Sequence, residues 1–476
     1  MKLFVHIFLI IILVSLLSAQ EKSNQFSLKE KKNFFWRDST YIPNPDIVQK
    51  YNPDKQLWIP LVEALGSNIF LTTVNYLRGA EYAKISIESI KNNFKGGWDW
   101  DADNLQTNMW GHPFQGAMYY NFARSSGFGY WSSLGVTAFG SWQWEFFMEI
   151  EPPAINDLIM TTFGGAMYGE MFYRFSNLIL NESLSGGKRF WRELGAGVYN
   201  PGRLFNRLIY GRASRHLEEE LYETQPNVGE ITIGVNNVAD GTNFKNGDKN
   251  FVVTLNYFYG KPFQSRSYKP MDYFRFTTLL NFGGDQPGLG QFRIHGILLG
   301  KQKTIGKDSK LLWGLFQYID YLHNNVYEVA GYSMAPGLAF RTSMEKKHTF
   351  ISNFNVGVMP MGAANSDYAP NYEVEALDSA RTYNMGWGAT ARLSADWLFP
   401  IGSLRIEYSF WWVHTLQGAP GDEYVGMLEP RLSFRITRHL GIGLQYLLYH
   451  RKGIYADYDN INLRNNEQRL FLSYRF

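Results

Sequence analysis

The chain has no cysteine among its 476 residues. That absence excludes disulfides, thiolate metal sites, cysteine nucleophiles and a lipid-modified cysteine after the leader. A strong charge of one sign is missing too. The 46 Lys and Arg against 43 Asp and Glu leave a formal charge of +3, which implies no nucleic-acid or polyanion partner. Beyond the first twenty residues no apolar run is long enough for a transmembrane helix. If the mature chain enters a membrane, it does so by strands.

The one long apolar run opens the sequence, "MKLFVHIFLIIILVSLLSAQ". Lys2 supplies the positive end, Leu3 to Leu17 is apolar, and Ser18 and Ala19 are small. The pattern predicts a secretory signal peptide over residues 1–19, cut after Ala19. The alternative, an uncleaved anchor, would have a run short for a span.

What is plentiful is aromatic: 17% of the residues, with 45% hydrophobic overall and 45 Gly. From residue 226 onward these residues fall into about twelve period-two runs of about ten residues, the length that crosses a bilayer as a tilted strand. Leu404, Ile406, Tyr408, Phe410 and Trp412 oppose Arg405, Glu407 and Ser409; Leu440, Ile442, Leu444, Tyr446 and Leu448 oppose Gly441, Gly443 and Gln445. Connections tend to alternate in length: 361–383, 415–425 and 451–466 read as long loops, while "TSMEKK", "FPIG" and "TRHL" read as tight turns. Transmembrane barrels have that asymmetry. The final run, "EQRLFLSYRF", ends on Phe476 and resembles the C-terminal signature of bacterial outer-membrane barrels, the part met by their assembly machinery. A closed barrel pairs its last strand with its first and leaves no edge. The expected fold is therefore an all-β transmembrane, antiparallel outer-membrane barrel of about twelve strands, preceded by a helical domain. A secreted β-sandwich or propeller is the alternative. Charges on the strands, among them Arg275, Arg293, His295, Arg392, Asp396, Arg405, Glu407, Glu429, Arg431, Arg435 and Arg469, are expected in the lumen, because the lipid face penalises them.

The first half has a helical texture. Ser141, Glu145 and Glu149 fall at i, i+4 and i+8 on a helix expected from about Trp131 to Ile150. Pro152 and Pro153 break it, and Asn156 or Asp157 is placed to cap the next helix, where Gly165 and Gly169 allow close helix approach. His112-Pro113 begins another. Residues 85–97 read as an amphipathic helix closed by Gly96, and 186–212 as a basic stretch with interleaved aromatics, suited to anionic headgroups or to pairing with nearby carboxylates. "GWDWDADN" is acidic and aromatic, a composition suited to Ca²⁺ or a sugar, but lacks the glycine and spacing of an EF-hand loop.

The stretches "NMWGHPFQGAMYYNFAR" and "SWQWEFFMEIEPPAINDLIMTTFGGAMYGE" resemble a bacterial envelope family called domain of unknown function 3943, over about residues 100–210. The resemblance implies an outer-membrane protein with a leader and a C-terminal barrel; it implies no activity, substrate or catalytic residue. Ala154 stands where a small hydroxyl residue is expected after the prolines.

These observations give four segments: leader 1–19, extension 20–59, helical plug or periplasmic domain 60–225, and barrel 226–476. The leading expectation is a non-enzymatic barrel of the Gram-negative outer membrane, coupled to its helical domain, binding or passing a small solute or lipid. Its partners would be outer-membrane lipid, the assembly machinery and that solute, with no nucleic acid, cofactor or metal. One rival is an envelope lipid- or glycan-modifying hydrolase with candidates His112, Ser141, Glu145, Glu149, Asp157 and Glu170: a carboxylate base, a His partner and a Ser nucleophile. A His among carboxylates also suits a divalent metal, although no HExxH spacing occurs. The other rival is an envelope scaffold.

Overall fold

The computed structural model describes residues 40–51, 55–101, 103–217, 221–241, 247–284, 286–324, 327–344, 347–368 and 383–476. The expected leader and most of the loop 361–383 lie outside the described residues. The described chain falls into two compact units, one reaching Asp101 and resuming over Gln106–Asn227, the other made of Ala102–Leu105 and Val228–Phe476.

The second unit is a barrel. Its strands are β1 (Asn227–Asp240), β2 (Asp248–Tyr259), the two-residue β3 (Ser267–Tyr268), β4 (Phe274–Phe282), β5 (Leu289–Ile305), β6 (Ser309–Asn324), β7 (Tyr327–Met344), β8 (His348–Asn365), β9 (Tyr383–Phe399), β10 (Gly402–Gln417), β11 (Gly421–Arg435), β12 (Leu440–Tyr455) and β13 (Ile461–Arg475). Leaving out β3, which adds a short pairing to β5, twelve strands form one ring, with β1 beside β13 and β5 beside β6. The ladder pairs are antiparallel, including the closing one, from Glu230 opposite Arg475 to Asp240 opposite Asn465. Phe476 is held in this seam: its N–H donates to the Gly229 carbonyl at 3.0 Å and its carbonyl accepts from Gly229 at 3.1 Å. Closure satisfies every edge that lipid would leave unpaired.

Two expectations are corrected here. Most strands are longer than ten residues: β7 and β8 have 18 each and β10 has 16. The loops read at 415–425 and 451–466 are mostly strand, since β11 resumes at Gly421 and β13 at Ile461. A polar sequence does not end a ladder; past the membrane both faces can be wet while the backbone pairing continues.

Alternation sorts the side chains. Leu470, Leu472, Ile442, Leu444, Val356 and Val358 are exposed on the outer face, whereas Arg293, Asp320, Arg392, Glu407, Glu429 and Arg469 are buried inside. Arg435, expected in the lumen, ends its strand exposed.

The first unit is helical: α1 (Pro45–Tyr51), α2 (Trp58–Leu77), α3 (Ile87–Gly96), α4 (His112–Ser125), α5 (Tyr130–Phe147), α6 (Ile155–Ile159), α7 (Gly165–Ile179), α8 (Gly186–Tyr199) and α9 (Pro201–Ile209). Single wide turns of π-helix, Thr107–Gly111 and Met160–Gly164, lead into α4 and α7. α4 is buried on nearly every side and is the centre of the unit. It crosses α7 at glycines: a Cβ on Gly116 would stand 1.8 Å from the Thr161 carbonyl oxygen, and one on Gly165 would stand 2.6 Å from the Gly116 Cα. The close approach expected at Gly165 and Gly169 is present, with Tyr120 filling the space against Gly169. The predicted helix at 85–97 is α3, opened by a Ser86/Ser89 capping box and ended at Gly97, where φ is +79°.

Candidate functional site

The π-turns frame a polar cluster in the helical unit. π-turns recur at functional sites because they re-aim side chains out of the regular helix. His112 follows the first one directly and Asp157 stands three residues before the second. A third segment arrives by a parallel bridge between Asp99 and Ala154. In it the Asp99 N–H donates to the Pro153 carbonyl at 2.9 Å, and its carbonyl accepts from the Ile155 N–H at 2.8 Å. The bridge lays Asp101 beside Asn156.

Asn156 is the hub. Its Nδ2 donates to Asp101 Oδ1 at 2.6 Å, Asn108 Oδ1 at 2.8 Å and Asp157 Oδ1 at 2.8 Å, while its Oδ1 accepts from the Asp101 N–H at 3.1 Å. Asp157 Oδ1 also lies 3.1 Å from His112 Nε2. Asn156 and Asp157 therefore do not cap α6 as expected. Its N-cap is Ala154, which has no capping side chain of its own. Glu145, on another helix, binds the N-cap residue's own N–H, its Oε2 accepting from Ala154 at 2.9 Å.

Glu145 and Glu149 form a pair. Burial pushes the Glu145 carboxyl up to about 7, against the Ala154 amide and His112, which favour its charge. Burial, and then the Glu145 charge, push Glu149 well above the ordinary range. The two carboxyls are hydrogen bonded, and the pair holds a proton to higher pH than a free carboxyl does. Trp144 Nε1 donates to Glu149 Oε2 at 3.0 Å. Chemically this is an acid held protonated near neutral pH, beside a carboxylate and a His–Asp dyad, the ingredients of general acid–base work. Asp101, His112 and Asp157 also offer one ligand atom each within 4.8 Å of one another, a donor set that suits a divalent cation.

The other two candidates stand apart. Ser141 is fully buried and its Oγ has no hydrogen-bond partner among the described residues, so no base activates it as a nucleophile. Glu170 belongs to a cation pair: its carboxylate accepts from Arg124 Nε and Arg174 Nε at 2.8 Å each and from the Tyr120 hydroxyl at 2.6 Å. Burial alone would raise its pKa; the two guanidinium groups overcome that and hold it at about 2. Access also weighs against catalysis, because His112, Glu145 and Asp157 are 8%, 1% and 4% exposed.

The match to known families falls on this unit. Residues 97–202 match the model of the family described as Domain of unknown function (DUF3943). That segment, under a quarter of the chain, is similar to the family. All six candidate residues lie inside it. No curated protein matches the chain. Among solved structures, the NanC porin is 8% identical, with 51% of this chain and 98% of that one covered and a TM-score of 0.28. The COG4313 outer membrane channel of Pseudomonas putida F1 is 12% identical, with 55% and 100% covered and a TM-score of 0.28. The toluene transporter TbuX of Ralstonia pickettii is 8% identical, with 53% and 89% covered and a TM-score of 0.22. Scores this low carry no argument of their own, and the barrel rests on its strand ladder.

Sequence reasoning missed two things. Asp101 joins the DUF3943 cluster only through the Asp99–Ala154 bridge, and nothing in the spacing of "GWDWDADN" announced that contact. The lumen was expected to hold pairs of charges, but which wall each would reach could not be counted from alternation.

Proposed function

We propose that the protein is a gated, non-enzymatic barrel of the Gram-negative outer membrane that binds or passes a small solute or lipid, its lumen closed at rest by a bridge of charged side chains. One observation carries this reading. Arg293 on β5 donates to Asp320 on β6 at 2.9 Å, and also to Glu407 on β10 at 3.3 Å and Glu429 on β11 at 3.2 Å. Six steps around a ring of twelve separate β5 from β11, so the guanidinium spans opposite walls. Arg275 and Arg405 reach Glu407 at 3.4 and 3.2 Å, and Gln445 donates to Glu429 at 3.1 Å. Two gaps beside these side chains measure about 30 and 90 Å³, room for a few waters. On this reading gaps of that size stop bulk flow at the bridge. Both signs are present, so a modest rearrangement of pairs can open a path. Outer-membrane lipid around the apolar band and assembly machinery at the last strand are the partners this reading requires.

Planar-bilayer conductance tests it. The full-length protein is expected to be silent at rest, and the double variant Arg293→Ala/Glu429→Ala to conduct. A steady open-pore conductance in the unaltered protein would refute the closed lumen.

A second reading has one feature in its favour: the proton-sharing Glu145/Glu149 pair beside His112–Asp157, which suits a lipid- or glycan-modifying hydrolase. It requires a hydrolytic activity on an envelope lipid or glycan that Glu145→Gln abolishes and Ser141→Ala leaves intact.

A further inference from the structure

The helical unit holds a cavity of about 600 Å³ that the polar cluster does not line. Six arginines open onto it, and four of them have carboxylates. Arg124 and Arg174 share Glu170, Arg207 binds Glu182 at 2.9 Å and Glu193 at 2.7 Å, and Arg215 binds Glu182 at 2.8 Å. Arg203 and Arg212 are different. Arg203 donates to Asn177 Oδ1 at 2.6 Å, the Tyr173 carbonyl at 3.1 Å and the Ser176 hydroxyl, and Arg212 donates to the Ser125 carbonyl at 2.7 Å. These acceptors are all neutral, and neither arginine has a hydrogen bond or ion pair with a carboxylate among the described residues; Glu63 senses the Arg212 charge without such a contact. They are 3% and 9% exposed.

Two buried guanidinium charges held only by neutral oxygens are costly. Burial and then the neighbouring Arg215, Arg207 and Arg203 depress the Arg212 pKa, the mark of cations crowded together. Glu223 is the acid on the cavity wall, and its carboxylate accepts from Gln225 at 2.9 Å. The expected salt pairing of the basic stretch therefore accounts for Arg189 and Arg207 but, among the described residues, leaves Arg203 and Arg212 without a carboxylate bond beside a hollow.

We propose that this cavity binds a phosphomonoester. The two guanidinium groups without a carboxylate bond match a dianion, which a phosphomonoester approaches near neutral pH. Its oxygens suit guanidinium forks, which point charges or a single carboxylate do not use as fully. The volume exceeds what a bare phosphate fills and falls in the range of small organic ligands. Arg203 stacks on Tyr173 and Tyr222 at 4.4 and 4.5 Å, fixing its fork beside two aromatic faces. Ile42, Val48 and Leu221 give an apolar wall for the organic part. The same chemistry is offered by a soluble sugar phosphate and by a phosphorylated lipid headgroup. The site goes beyond the gated-barrel reading and stands whether or not the barrel conducts.

Titration calorimetry on the full-length protein in detergent tests this, with glucose 1-phosphate, dihexanoyl phosphatidic acid, and dihexanoyl phosphatidylcholine as a diester control. Saturable binding of either monoester, with the diester weaker, is expected. Binding of the sugar phosphate alone identifies a soluble ligand, and binding of the lipid alone a headgroup. Arg212→Ala should weaken the interaction about tenfold or more, the loss of one charge-assisted contact. Arg212→Lys keeps the charge without the fork and should fall between. Helix circular dichroism checks that each variant is folded. No binding of either monoester at millimolar concentration overturns the proposal on the unaltered protein alone. So does unchanged affinity in folded Arg203→Ala and Arg212→Ala.

Discussion

Glu145 and Glu170 are buried carboxylates on neighbouring helices of one unit, yet their surroundings push them in opposite directions. Glu170 lies between two guanidinium groups and keeps its charge; Glu145 is pushed up by burial, which the Ala154 amide and His112 only partly offset, and resists ionisation. Linkage turns this into opposite pH dependences. The Glu145 folded pKa of about 7 is above its ordinary 4.5, so its contribution is fully present below pH 4.5 and is lost as pH rises toward 7. Glu149 adds in the same direction. The Glu170 value of about 2 is depressed, so its contribution is present above pH 4.5 and is lost as pH falls toward 2. Thermal unfolding followed by helix circular dichroism should be most stable at mildly acidic pH. Glu145→Gln/Glu149→Gln should flatten the decline between pH 4.5 and 7 and leave the acid limb unchanged; a decline that persists would exclude the pair as its source. Gly116 sets a second expectation. A methyl there meets backbone at 1.8 Å, so Gly116→Ala must separate α4 from α7 and should cost about 3 kcal/mol or more in the same unfolding measurement.

At the scale of elements, the last strand turns on which face a residue occupies. Leu470 is 49% exposed and Arg469 only 8%, one facing outward and the other into the lumen. Leu470→Arg should destabilise the barrel by about 2–4 kcal/mol near the membrane midplane, read by urea unfolding in lipid vesicles. A polar lumen position changed to Ser, such as Gln445→Ser, should cost markedly less. This contrast was legible in the sequence because period two is imposed by the pleat itself. Strand lengths were not, since Lys452 and Asn462 pair in the β12–β13 ladder well outside any apolar pattern. Helix existence was legible from the spacing of Ser141, Glu145 and Glu149 and from Pro152-Pro153. Capping was misread at Asn156 and Asp157 because a local rule competes with tertiary partners that sequence spacing does not reveal: Asp101, Asn108 and His112 draw those side chains away from the helix end.

Over the whole molecule, charge is handled differently in the two units. In the barrel, opposite signs meet across the lumen, and Arg293 joins walls six strands apart. In the helical unit, carboxyls gather around His112 while guanidinium groups gather around a hollow. A near-neutral total of +3 conceals this sorting, which is why composition implied no anionic ligand. The barrel's bridge is the feature on which the proposed function depends. Removing one member of a buried pair costs about 3–5 kcal/mol, because it strands the other charge. A double removal is therefore the cleaner way to open the lumen. The decisive measurement is single-channel conductance of the unaltered protein and of Arg293→Ala/Glu429→Ala, both verified as folded barrels. A silent parent and a conducting variant are predicted. A parent that conducts steadily, or a folded variant that stays silent, would contradict a lumen gated by its own charges.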